Sequence, residues 1–171
     1  QGFVLTSPLQ LAVMTARLAT GREIVPSIIR SIDGISQLPP PAAEMGFDPR
    51  HMEQLHRGMW NVNNDRRGTA YGSRVEVSAH GIAGKTGTSQ VRNISAAERA
   101  AGVIRNEDLP WERRDHALYV GYAPYDTPRY ACSVIVEHGG GGSAVAAPIA
   151  RDILLRAQLG EVPSPDLYPA S

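Results

Sequence analysis

Gly81-Ile82-Ala83-Gly84-Lys85-Thr86-Gly87-Thr88-Ser89-Gln90-Val91 is the stretch on which the fold and the chemistry both turn. It sets one lysine and three hydroxyl side chains among glycines, with apolar residues near each end. Such a segment suits an anion held close to main chain. Glycine lets backbone N–H groups approach a ligand, hydroxyls donate hydrogen bonds, and the lysine supplies a fixed charge. Two kinds of site use it: a phosphate loop, or a strand bordering a cleft.

The residues that follow separate the two. A phosphate loop, G-x-x-x-x-G-K-[ST], opens a helix whose N-terminus faces the phosphates. Gly84-Lys85-Thr86 matches its end, but Ala79 stands where the first glycine belongs. Gly87-Thr88-Ser89-Gln90-Val91 is poor in helix formers, and no alternation of strands and helices surrounds it. The segment Ile82 to Val91 therefore reads as a strand.

Outward from that strand, Ala117 to Ala123 and Tyr130 to Glu137 read as two more strands. The Pro124-Tyr125-Asp126-Thr127-Pro128 turn between them pairs them antiparallel. A run of four glycines, Gly139 to Gly142, then breaks the sheet. A final helix begins between Ser143 and Pro148, with Ala146, Ile149, Ala150, Ile153, Leu154 and Ala157 as its buried stripe and Gly160 as its stop. The proline-rich tail 161–171 is expected to be loose.

Upstream, residues 6–20 read as a helix. Ser7-Pro8-Leu9-Gln10 is a capping box with proline in the first turn, and Leu11, Met14 and Leu18 give an apolar face. Val25 to Ile32 reads as extended, Asp33-Gly34 as a turn, and Gln37 to Ala43, with three consecutive prolines, as an extended loop. A second helix starts at Asp48-Pro49, buries Met52, Leu55, Met59 and Val62, and ends near Asn63-Asn64. After Gly68-Thr69-Ala70 the chain turns strand-like. Residues 92–115 form a long polar connection with room for one helical turn. The whole is one α+β domain, a small antiparallel sheet covered by helices.

Composition narrows the function. The 171 residues suit a single domain, and 17 basic against 17 acidic side chains argue against nucleic acid as a partner. Arg66-Arg67 and Arg113-Arg114 are too short for a polybasic arm. The single cysteine, Cys132, sits in an apolar run and reads as an inert, buried thiol. No Cys/His grouping has zinc spacing, and His51 and His56 are not at i, i+4, so no metal and no cofactor is expected. No stretch approaches the length of a membrane span. The chain starts at Gln1, which makes a piece of a longer protein the expectation.

Lys85-Thr86-Gly87 also matches the K-T-G element found in class A β-lactamases and penicillin-binding proteins. Together with Gln1-Gly2-Phe3-Val4-Leu5-Thr6-Ser7-Pro8-Leu9-Gln10-Leu11-Ala12, Arg114-Asp115-His116-Ala117-Leu118-Tyr119-Val120-Gly121-Tyr122-Ala123-Pro124 and Val136-Glu137-His138-Gly139-Gly140, it resembles the transpeptidase domain of class B penicillin-binding proteins, elongation-specific members above all. The likeness runs from Gln1 to about Gly160. It implies the fold shared by penicillin-binding proteins and serine β-lactamases, here in part. It also implies a D,D-transpeptidase that cross-links peptidoglycan through a serine acyl-enzyme and is acylated by β-lactams.

By the same resemblance Lys85 binds the substrate carboxylate and tunes proton transfer. Thr86 and Thr88 donate to that carboxylate, Gly87 keeps the edge clear for the acyl chain, and the Thr88 N–H is an oxyanion-hole donor. The implied partners are stem peptides ending in D-Ala-D-Ala, β-lactams, and cell-wall elongation machinery including a membrane glycosyltransferase. The implied location is the periplasmic face of the inner membrane. One departure is large: no serine has lysine three residues on or asparagine two on. The family's Ser-x-x-Lys and Ser-x-Asn elements are expected upstream of Gln1. The chain alone should then be inactive and should expose apolar surface on helix 6–20 and on the sheet. A penicillin-binding sensor domain and a serine β-lactamase are the competing readings.

Overall fold

The computed structural model describes residues 5–169; Gln1 to Val4, which open the family resemblance, lie outside the described residues. The first helix, α1 (Pro8–Thr20), starts on the expected box: the Gln10 N–H donates to Ser7 Oγ and the Ser7 N–H to Gln10 Oε1. Gly21 ends it in the left-handed conformation that glycine adopts without strain. Its buried residues are Thr15 and Ala19, not the expected Leu11, Met14 and Leu18. Small side chains there let the helix approach β4 (His116–Ala123) and β5 (Tyr130–Val136), while Met14 stays exposed.

A two-stranded hairpin follows, β1 (Ser31–Ile32) and β2 (Ile35–Ser36). Asp33 and Gly34, both at positive φ, make its two-residue turn. Helix α2 (Pro49–Asn64) is capped by the Asp48 carboxylate, which accepts from the Arg50 N–H. Met59 and Asn63 are its buried residues; Leu55, expected inside, is exposed. After it the chain is not yet strand. Residues 71–73 and 78–80 are short 3-10 turns, and the strand-like character expected from Ala70 is delayed to β3 (Ala83–Ser89).

The main sheet has the order β3-β4-β5, antiparallel throughout, with Lys85 opposite Val120 and Thr88 opposite Ala117. The connection 92–115 holds a short helix, α3 (Ala96–Ala101), and two 3-10 turns. Its anchor is the bidentate pair of Arg92 with Glu98, both contacts 2.6 Å. The arginine holds the Glu98 carboxyl below the usual carboxylate range.

A π-turn (Gly142–Ala146) leads into α4 (Ala147–Leu159). Ala147, Ala150, Leu154 and Leu155 are buried, whereas Ile149 and Ile153 of the expected stripe are exposed. The wide first turn carries Ala146 and Ala147 together into the core, rotating the buried face off those isoleucines. The loose tail expected for 161–171 is corrected as far as Pro169. Leu167 is buried in the core, its carbonyl accepts from the Glu76 N–H, and Arg151 stacks over the Tyr168 ring. The core lies between the sheet and α4, with Tyr119 at its centre.

Candidate active site

Among the described residues strand β3 is an edge strand, so one row of its backbone groups has no strand partner there. Two contacts identify the row. Asn64 Nδ2 of α2 donates to the Ile82 carbonyl at 3.0 Å, and Lys85 Nζ donates to the Thr86 carbonyl at 2.7 Å. In an antiparallel pair alternate residues turn both N–H and C=O toward the partner, and the others turn both away. The N–H and C=O of Thr88 therefore share the open edge with the carbonyls of Ile82 and Thr86.

Side chains alternate as well. Lys85 and Gly87 lie on one face of β3, Thr86 and Thr88 on the other. Thr88 and Lys85 are exposed, Thr86 half-buried. The phosphate-loop alternative does not survive: Lys85 to Ser89 are extended, and no helix begins there.

Three glycines let this strand lie where it does. A Cβ on Gly84 would stand 2.1 Å from the Tyr119 hydroxyl. One on Gly142 would stand 2.2 Å from the Leu118 carbonyl oxygen and 2.3 Å from that of Gly87, so the π-turn rests directly on the backbone behind the Lys-Thr-Gly segment. Gly68 is wedged against the carbonyls of Asn61 and Val62, 2.2 and 2.4 Å from its would-be Cβ. It brings Thr69 against β3, where the Thr69 and Thr86 hydroxyls are 2.8 Å apart. The sequence reading passed over Thr69, because the signal was only its place beside a tightly packed glycine.

Beside Lys85 runs an apolar groove of about 480 Å³. Val120 and Lys85 lie along it with Met14 and Leu18 of α1 and Leu55 and Met59 of α2. The exposed side chains of Met14 and Leu55, misplaced by the periodicity reading, belong to this groove. His56 Nε2 lies 2.7 Å from the Leu18 carbonyl, a contact between α2 and α1. Among the described residues no cluster of three potential metal ligands occurs. Cys132 is half-buried, and burial pushes its thiol up to about 11, which keeps it protonated at neutral pH.

Comparison with known proteins bears on the family and the fold. The family model for the penicillin binding protein transpeptidase domain matches residues 1–155. Among curated proteins, the peptidoglycan D,D-transpeptidase MrdA of Haemophilus influenzae is 34% identical over 160 residues, which are 90% of this chain and 24% of that protein. Among solved structures, penicillin-binding protein 2 of Pseudomonas aeruginosa, in complex with WCK 5153, superposes with a TM-score of 0.69 at 35% identity, covering 99% of this chain and 35% of that one. Penicillin-binding protein 2 of Helicobacter pylori, in complex with MreC, gives 0.69 at 30%, covering 94% and 26%. Penicillin-binding protein A of Mycobacterium tuberculosis, as an imipenem acyl-enzyme complex, gives 0.65 at 26%, covering 93% and 32%. The chain spans about a quarter of the length of the curated relative. With the family model covering nine-tenths of its length, the chain belongs to the family of penicillin-binding-protein transpeptidase domains.

Proposed function

We propose that the chain forms one wall of the cleft of a serine D,D-transpeptidase that cross-links peptidoglycan stem peptides. The carrying observation is the open edge of β3, which presents Lys85, Thr86 and the Thr88 N–H beside an apolar groove. A stem peptide ending in D-Ala-D-Ala lies along that edge as an added strand, with Gly87 leaving room for it. Its terminal carboxylate takes hydrogen bonds from the Thr86 and Thr88 hydroxyls and the charge of Lys85. Lys85 leaves the Thr86 carbonyl to do so, and also tunes proton transfer. As the carbonyl under attack becomes tetrahedral, its oxygen gathers negative charge. The Thr88 N–H, fixed by the strand, stabilises that charge without reorganising.

The attacking serine comes from polypeptide outside these 171 residues, since no serine here has lysine three on. The groove floored by Val120 and walled by Met14, Leu18, Leu55 and Met59 receives that part, which brings the nucleophile alongside Lys85. β-Lactams acylate the same serine. The elongation machinery, including a membrane glycosyltransferase, is the partner, and the periplasmic face of the inner membrane is the location. No helix among the described residues is long and apolar enough to cross a membrane.

The test is adduct mapping on the full-length protein. Labelled penicillin should form a covalent adduct that peptide mass spectrometry places on a serine outside these 171 residues. An adduct on a serine within them, or none at all, would overturn the proposal.

A further inference from the structure

Thr69 is an exposed residue on a rigid mount. Around it the Gly68 N–H donates to the Asp65 carbonyl at 2.7 Å and the Ala70 N–H to the Val62 carbonyl at 2.9 Å. Ala70 is buried, and Gly68 has no space for a side chain. The turn therefore fixes Thr69 without help from its hydroxyl. That hydroxyl nevertheless lies 2.8 Å from the hydroxyl of Thr86, seventeen residues away on the cleft strand.

Each hydroxyl owns one proton, and either can be the donor in this pair. When Thr86 donates to Thr69, its proton is spent and cannot meet an anion. When Thr69 donates to Thr86, the Thr86 proton is free to point into the cleft, and the incoming bond polarises it further. A carboxylate only accepts, so its arrival favours the second arrangement. Lys85 borders the same small cleft as Thr69, and Asp65 there is already paired with Arg67 at 3.2 Å. The Asp65 charge is thus met by Arg67 and not by Lys85, whose Nζ donates to the Thr86 carbonyl.

We infer that Thr69 is a positioning residue for the substrate carboxylate, its hydroxyl 2.8 Å from Thr86 turning the Thr86 proton toward the bound anion. The inference rests on the proposed role of Thr86 as a carboxylate donor, and its test separates the two. Acylation rate constants of the full-length protein are measured with benzylpenicillin and with its methyl ester, which lacks the anionic group. Thr69→Val, isosteric but without the hydroxyl, should slow acylation by the acid about five- to tenfold, the scale of one orienting hydrogen bond. The ester should react with Thr69→Val as it does with the wild type, Thr69→Ser should restore the acid rate, and the melting temperature should not move. Equal slowing with acid and ester, no slowing, or failure of serine to restore the rate would overturn the inference. Thr86→Val is the reference. If it slows acid and ester alike, the donor role of Thr86 falls, and this inference with it. If it selectively slows the acid while Thr69→Val does not, Thr69 alone is misassigned.

Discussion

Tyr119 takes its hydroxyl into the centre of the core because Asn63 meets it there, donor to acceptor, at 2.7 Å. Burial pushes the phenol well above its ordinary value, a shift the Asn63 contact only partly offsets. The bond ties α2 to the sheet at the level of Gly84, whose missing side chain makes room for the ring. Removing one partner leaves the other buried and unsatisfied, which costs more than the bond contributes. Tyr119→Phe should therefore destabilise the fold by about 1–3 kcal/mol in a denaturant titration, through the stranded Asn63 oxygen. An unchanged midpoint would mean that water reaches that oxygen. Sequence alone shows Tyr119 as an aromatic on a strand and Asn63 as a helix terminator. The bond between them, fifty-six residues apart in the chain, has no local signal.

At the scale of elements, local chemistry was easiest to read. The Ser7/Gln10 box, the Asp48 cap, the Asp33-Gly34 turn and the β4–β5 hairpin each depend on residues a few positions apart. Helix faces were harder, because periodicity registers which side chains are apolar and not which are covered. On α1 the small Thr15 and Ala19 meet the sheet, while Met14 turns to the groove. On α4 the π-turn shifts the face away from Ile149 and Ile153. That turn also supports the cleft strand. Gly142→Ala would drive a methyl into the carbonyls of Gly87 and Leu118, and overpacking of this kind costs about 1–3 kcal/mol. The expected outcome is slower β-lactam acylation of the full-length protein together with a lower melting temperature. Wild-type values for both would show the contact to be slack.

The connection after β3 makes a second element-scale prediction. Arg92 holds the Glu98 carboxyl below its unfolded value of about 4.3. A depressed carboxylate contributes stability above the unfolded pKa and loses it as pH falls through the folded value. Amide signals of residues 92–104 should thus move in a single step centred below the ordinary glutamate value, and the step should vanish in Glu98→Gln. A midpoint at or above about 4.3 would show that the pair does not hold the loop.

At the scale of the whole molecule, the sheet is covered on one face and open along one edge. One face builds the core with α4; the edge of β3 lacks a strand partner among the described residues, and a groove runs beside Lys85. This division was legible in part. The glycine-and-hydroxyl run, poor in helix formers after Lys85, was legible as a strand and not a phosphate loop, and that strand is β3. The 165–169 segment was not legible as structure, because a single leucine among prolines has no period, yet Leu167 closes the core. Nor could periodicity reveal the groove, whose lining is drawn from two helices and two strands.

The central claim is that β3 is the carboxylate- and oxyanion-binding edge of a transpeptidase cleft. The direct measurement is the second-order rate of acylation of the full-length protein by fluorescent penicillin, for the wild type and for Lys85→Ala. Lys85 is exposed and outside the core, so the variant should keep its melting temperature. Loss of a charge-assisted contact to the reacting ligand should slow acylation at least tenfold, about 1.5–3 kcal/mol of lost stabilisation. A folded Lys85→Ala protein acylated at the wild-type rate would contradict the account.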